Sequence, residues 1–165
     1  MTDGGLRMRT QFFTSRGFAV FDVNYSGSTG YGRAYRQRLD GKWGIADVAD
    51  SVAAARHLAK AGLADARKIV IAGGSAGGYT TLMALVATDV FAAGSCYYGV
   101  SDLALLLKHT HKFESGYLHR LLGTKAGNWR EAFARRSPLN LIDGITSPVI
   151  LFQGRDDTDR LAYPC

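Results

Sequence analysis

The chain has 165 residues, enough for one domain or for part of a larger one. With 47% hydrophobic and 21% charged residues it has a globular balance, which excludes a disordered tail and leaves apolar material for a core. The net charge of +6 arises from 20 basic and 14 acidic residues, but no run of five like charges appears, so a solvated basic surface is expected rather than a nucleic-acid partner.

In chain order, Phe18 to Tyr25 (FAVFDVNY) lies between Gly17 and Gly27 and is predicted to be a strand. Ser26 to Gly32 holds three glycines among small residues and reads as a loop. Asp47 to Gly62 is predicted helical, with Val48, Val52, Ala55 and Ala59 on one face. Asp47 is the expected N-cap, Asp50 lies in the first turn, and Gly62 ends the helix. Lys68 to Ala72 reads as a short strand and Ala76 to Thr88 as a second helix. Phe91 to Tyr98 and Pro148 to Gln153 read as further strands, with several short helices between Ser101 and Arg136.

Apolar strands alternating with helices imply an α/β protein with a mostly parallel, doubly wound sheet covered on both faces. Residues 1–165 show no linker and no internal repeat, and are read as a single domain. Of the two cysteines, Cys96 sits in an apolar run and reads as a buried small hydrophobe, while Cys165 ends the chain. No Cys/His spacing suggests zinc, so no metal and no cofactor is expected. Met1 to Arg9 lacks the apolar core of a signal peptide, and no stretch is long enough to span a bilayer. The expectation is a cytoplasmic product with no membrane partner.

The chemistry is concentrated in Ile69 to Tyr79 (IVIAGGSAGGY), a strand, then G-x-S-x-G at Gly73, Ser75 and Gly77, then a helix. A serine on a sharp strand-to-helix turn is pushed out toward substrate, and the crowded turn demands small neighbours. The helix that follows offers free N–H groups and a positive dipole end, so the N–H of Ala76 is placed to stabilise an oxyanion. A phosphate loop would need Gly-Lys-Ser/Thr, and Tyr79 follows Gly78 instead.

Taken together, several segments resemble the C-terminal peptidase domain of the prolyl oligopeptidase family, nearest its dipeptidyl-peptidase and acylaminoacyl-peptidase branches. They are Thr14 to Val20, Asp22 to Tyr25, Gly27 to Gly32, Trp43-Gly44, Gly73 to Tyr79, Tyr97 to Leu103, Arg136 to Pro138 and Phe152 to Gly154. The resemblance covers about Gln11 to Asp157. It implies an α/β-hydrolase fold, incomplete at the C-terminal end and at the N-terminal end, and a serine peptidase acting on peptide substrates through an acyl-enzyme. Ser75 would be the nucleophile. Tyr31 would supply a phenolic donor that joins the Ala76 N–H in the oxyanion hole, although on its own it reads as a packing aromatic. Ser26 stands where the family usually has arginine. Asp157 would be the triad acid, with Asp156 the near alternative. Val100 and Leu103 are candidates to line the substrate pocket, and equally core residues.

The expected order of an α/β-hydrolase triad is serine, acid, histidine. All four histidines, His57, His109, His111 and His119, precede Asp157, and none matches the family's His-Gly motif. The chain is therefore expected to be a partial peptidase domain with an off-pattern tail at 158–165, and to turn over little peptide by itself. The alternatives are an esterase on the same fold, or a non-catalytic hydrolase-fold remnant acting as a binding module. The loop Asn24 to Gly32 favours the peptidase, and no His-Gly-Gly-Gly run marks a lipase.

Overall fold

The computed structural model describes residues 5–109, 112–125, 128–155 and 157, with 112–115 described by their backbone alone. Helices between the apolar runs carry the chain back across, so the strands run parallel. β1 (Val70–Gly74), β2 (Ala93–Tyr97) and β3 (Val149–Phe152) form one sheet in the order β1-β2-β3. Gly74 stands beside Tyr97, and Tyr97 beside Phe152, so the C-terminal ends of all three strands meet at one end of the sheet.

The long helices form as their spacing predicts. α3 (Ala46–Lys60) buries Val48 and Ala55, half-buries Val52 and Ala59, and gives way to Gly62 at φ +70°. α4 (Ala76–Ala87) carries no charge on any side, and residues 78–85 are all buried. A helix apolar all round must be enclosed. Here β1 and β2 cover one side of it and α3 another. Close approach needs glycine at Gly78, where a Cβ would lie 2.6 Å from Gly99 Cα and 3.0 Å from Cys96 Sγ. Cys96 is buried as expected, and burial pushes its thiol above its ordinary pKa.

α5 (Leu103–His109), α6 (Lys112–Leu122) and α7 (Arg130–Arg136) are the expected short helices. They add Leu103, Leu118, Leu121, Leu122 and Phe133 to a core that also holds Trp43, Tyr79 and Leu85. Two further short helices precede the first long one. These are α1 (Met8–Thr14) and α2 (Gly32–Arg36), the latter starting at the last residue of the stretch Ser26 to Gly32 that reads as loop.

Three expectations are corrected. Phe18 to Tyr25 is not a strand: it joins no ladder among the described residues, and Phe18, Val20 and Phe21 are exposed. Strand-forming side chains suit a pleated surface, but a strand also needs a neighbour to accept its hydrogen bonds. Second, the sheet is not covered equally on both faces. α4 covers β1 and β2 on one face but leaves Val149 and Leu151 of β3 exposed there, and Val70, Ile150 and Phe152 stand exposed on the other. On that open face Tyr97 stacks on Phe152 at 4.9 Å, and the Arg9 guanidinium lies 4.6 Å from the Tyr97 ring. Third, Asp47 is not the N-cap of α3. That position is Ile45, and Asp47 is wholly buried inside the first turn.

Among the described residues no helix is long and apolar enough to cross a membrane. The tail at 158–165, Asp156 and His111 lie outside the described residues.

Candidate active site

Ser75 sits where β1 ends and α4 begins, with φ 56° and ψ −121°. Positive φ is costly for a residue with a Cβ, about 1–3 kcal/mol, and persists only where the surroundings enforce it. The Ser75 N–H donates to Tyr97 O at 3.0 Å, which fixes the end of β1 to β2. The first intrahelical bond of α4 runs from the Tyr79 N–H to Ser75 O at 3.1 Å. The N–H groups of Ala76, Gly77 and Gly78 precede it and point out of the helix end, as an oxyanion site requires.

The glycines of the motif have different tasks. A Cβ on Gly73 would collide with the Gly77 carbonyl group, so Gly73 is required by a backbone crossing. A Cβ on Gly77 would meet nothing within 4 Å. Of the two motif glycines, packing therefore demands Gly73 and not Gly77, and on the helix side the close approach falls on Gly78 instead.

Below the elbow, α4 is locked to the rest of the core. Tyr79 is fully buried, its ring centroid 4.3 Å from that of Trp43, and its hydroxyl donates to Arg136 O at 3.0 Å. Burial, and then the nearby Asp47 carboxylate, push the Tyr79 phenol far above its ordinary pKa, so it stays a neutral donor. Gly44, at φ +79°, leaves the space that the Tyr79 hydroxyl occupies. Asp47 Oδ1 accepts from the Gly44 N–H at 2.6 Å, and Oδ2 accepts from the Thr80 hydroxyl at 2.5 Å. Burial raises the Asp47 carboxyl above the ordinary range, while these donors pull it back.

Tyr31 is the N-cap of α2 and is exposed, with its ring centroid 5.1 Å from that of Tyr35. Its loop is anchored at the base. The Ser26 N–H donates to Asp50 Oδ2 at 2.6 Å, the Tyr35 hydroxyl donates to Asn24 O at 2.8 Å, and the Gly27 N–H donates to Tyr35 O at 3.2 Å. Asp50 therefore holds a loop far from it in sequence. Asp50 lies beyond the first turn of α3, and not in it as expected, because the helix starts at Ala46 and of the two acids only Asp47 falls in that turn.

Asp157 lies in the turn after β3, half-buried. Its Oδ2 accepts from Gln153 Nε2 at 3.0 Å, and its N–H donates to Gly154 O at 3.3 Å. Val100 and Leu103, expected as pocket candidates or core, are 7% and 0% exposed and belong to the core. Leu103 opens α5, its N–H donating to the buried Ser137 hydroxyl at 3.0 Å. Among the described histidines, His57 and His109 are exposed, and His119 Nδ1 lies 3.0 Å from Thr124 Oγ1. None is hydrogen-bonded to Ser75 or Asp157.

Tyr98 was not anticipated. It shares positive φ (40°) with Ser75, follows Tyr97 at the same end of the sheet, and places its ring against Gly74. Among the described residues other than glycine, these two alone have positive φ.

The profile of the prolyl oligopeptidase family matches residues 5–163. The chain is 32% identical over 159 residues to dipeptidyl peptidase family member 6 of Caenorhabditis elegans, covering 93% of this chain and 22% of that protein. It is 34% identical over 154 residues to dipeptidyl aminopeptidase BIII of Pseudoxanthomonas mexicana, covering 89% of this chain and 22% of that one. Among solved structures, a puromycin-hydrolyzing peptidase of Mycobacterium tuberculosis superposes with a TM-score of 0.82 at 52% identity, over 85% of this chain and 21% of that one. The chain thus spans about a fifth of the length of these relatives. Acylaminoacyl peptidase bound to a peptide chloromethyl ketone superposes with a TM-score of 0.72 at 25% identity. The sheet and its helices are a partial α/β-hydrolase fold.

Proposed function

The chain belongs to the prolyl oligopeptidase family, and from that premise we propose that it carries the nucleophile, the oxyanion hole and the acid of a serine-type peptidase. The observation that carries this reading is Ser75 at positive φ between β1 and α4, with the free N–H of Ala76 beside it.

In this reading Ser75 Oγ attacks the carbonyl carbon of a peptide bond. The oxyanion is held by the Ala76 N–H and the Tyr31 hydroxyl. Departure of the amine leaves an acyl-enzyme, which water hydrolyses. Asp157 orients the histidine that relays the proton. His57, His109 and His119 are not assigned that role, since none of them is hydrogen-bonded to Ser75 or Asp157. The 165 residues alone are therefore expected to turn over peptide poorly, since losing one member of such a unit can cost on the order of a million-fold. Peptides are the substrate class, nucleic acid is not a partner, and the setting is cytoplasmic. Similarity to a dipeptidyl peptidase, a dipeptidyl aminopeptidase, a puromycin-hydrolyzing peptidase and an acylaminoacyl peptidase supports the substrate class.

The test is labelling with excess fluorophosphonate over hours, because a serine without its histidine still gains residual reactivity from the oxyanion hole and no turnover is required. Labelling of the chain that vanishes in Ser75→Ala supports the reading. A folded chain that stays unlabelled, or a label that persists in Ser75→Ala, overturns it.

A further inference from the structure

An oxyanion hole works only when its donors converge on one point, each about 2.7–3.1 Å from the oxygen. The two donors assigned here ride on different elements, Tyr31 on an exposed glycine-rich loop and Ala76 at the start of α4. Something must hold one relative to the other. The geometry points to α3: we propose that Asp50 is a positioning residue that holds the Tyr31 loop, while Asp47 on the same helix holds the Ala76 end of α4, so that α3 sets the spacing of the two donors. This rests on the serine-peptidase reading above.

On one side, Asp50 Oδ2 accepts the Ser26 N–H at 2.6 Å. A carboxylate accepting a backbone N–H at this distance is a charge-assisted bond, stronger than a neutral one. It fixes the loop at its first residue, while Tyr35 and Leu39 close its other sides through Asn24 O and against Gly27. On the other side, the Thr80 hydroxyl lies 2.5 Å from Asp47 Oδ2 and 3.2 Å from Ala76 O. The hydroxyl's single proton goes to the Asp47 carboxylate, so α3 holds α4 at Thr80, one helical turn beyond the residue whose N–H is to bind the oxyanion. Residues three apart on a helix lie on one side of it, so Asp47 and Asp50 reach the two donors from adjacent places. They differ in burial. Asp47 is fully enclosed, and truncating it would leave Gly44 and Thr80 without their acceptor inside the core. Asp50 is half-buried and is the residue to test.

The experiment combines amide hydrogen exchange and fluorophosphonate labelling on the 165-residue chain. In Asp50→Ala the Ser26 amide and the segment Gly27 to Tyr31 should exchange roughly tenfold faster or more, with the amides of α4 unchanged. Asp50→Asn, whose side-chain carbonyl still accepts, should restore most of the protection. Labelling of Ser75 should slow roughly ten- to a hundred-fold in Asp50→Ala, as expected when a donor is misplaced. It should slow no further when Asp50→Ala is added to Tyr31→Phe, because both changes remove the same donor.

Unchanged exchange at Ser26 to Tyr31 overturns the proposal, as does a labelling loss that simply multiplies with that of Tyr31→Phe. Loss of protection across α4 as well would mean general destabilisation and also overturns it. A wild-type chain that is not labelled sinks the peptidase reading instead. Released exchange confined to the loop, and rescued by Asp50→Asn, still supports the Asp50 tie in that case.

Discussion

The turn after β1 and the turn after β3 lie at the same end of one sheet, yet they are held in very different ways. Ser75 stands above the packed face, with buried α4 behind it, a β2 carbonyl on its N–H, and Tyr79 and Thr80 locking the first helical turn to Trp43, Gly44 and Asp47. Asp157 follows a strand whose four residues are all exposed, and the side-chain bond it makes is to Gln153 in its own turn. The difference follows from what each residue must do. A serine held at positive φ needs its surroundings to over-determine it. A turn aspartate has no strain to hold, and its alignment depends on the histidine it would orient.

The sharpest way to break this comparison is at the backbone crossing. Gly73→Ala drives a methyl group into the Gly77 carbonyl, which cannot move without opening the elbow. A loss of about 3 kcal/mol, or outright failure to melt cooperatively, is expected. Gly77→Ala places its methyl in open space and replaces a helical glycine, so a change within about 1 kcal/mol is expected. Equal losses in the two variants would mean that the elbow is not packed as described.

A second contrast compares the packed face with the edge. Leu85→Ala, at a site 2% exposed, should cost about 2–5 kcal/mol in denaturant melts. Ile150→Ala, at a site 53% exposed, should stay within about 1 kcal/mol. A large loss at Ile150 would show that something covers β3 in solution.

The smallest effect is the pH response of Asp47. Its carboxyl is raised above the unfolded value, mainly by burial. On acidification the folded chain therefore takes up this proton before the unfolded chain does. The resulting contribution is fully present below the ordinary carboxyl pKa and is lost as the pH rises through the raised one. Relative to Asp47→Asn, the wild type should gain stability as the pH falls from 7 toward 4. A flat difference between the two melts would remove the assigned shift.

Much of this architecture is legible without coordinates, and the failures share a cause. The spacing Val48, Val52, Ala55, Ala59 finds the buried face of α3, and the uncharged run after Ser75 finds an enclosed helix. Phe18 to Tyr25 has every local mark of a strand, but local marks do not supply the neighbour that a strand must pair with. Asp47 resembles a cap because an acid before an apolar periodic run commonly is one. Here the same carboxylate is turned inward to Thr80, thirty-three residues away along the chain. Val100 and Leu103 read equally as pocket and as core residues in the sequence, and in this chain both are buried in the core.

For the site itself the division is equally physical. Strand, glycine, serine, glycine, helix is a local geometric demand, so the sequence by itself determined that Ser75 sits on a strained turn with helix N–H groups beyond it. Only the tertiary structure decided which glycine the turn cannot lose, because that depends on Gly73 crossing the backbone of Gly77. It alone showed that the loop of Tyr31 and the helix of Ala76 are tied to one helix by Asp50 and Asp47, since hydrogen bonds between distant residues exist only once packing has brought them together and removed the competing water.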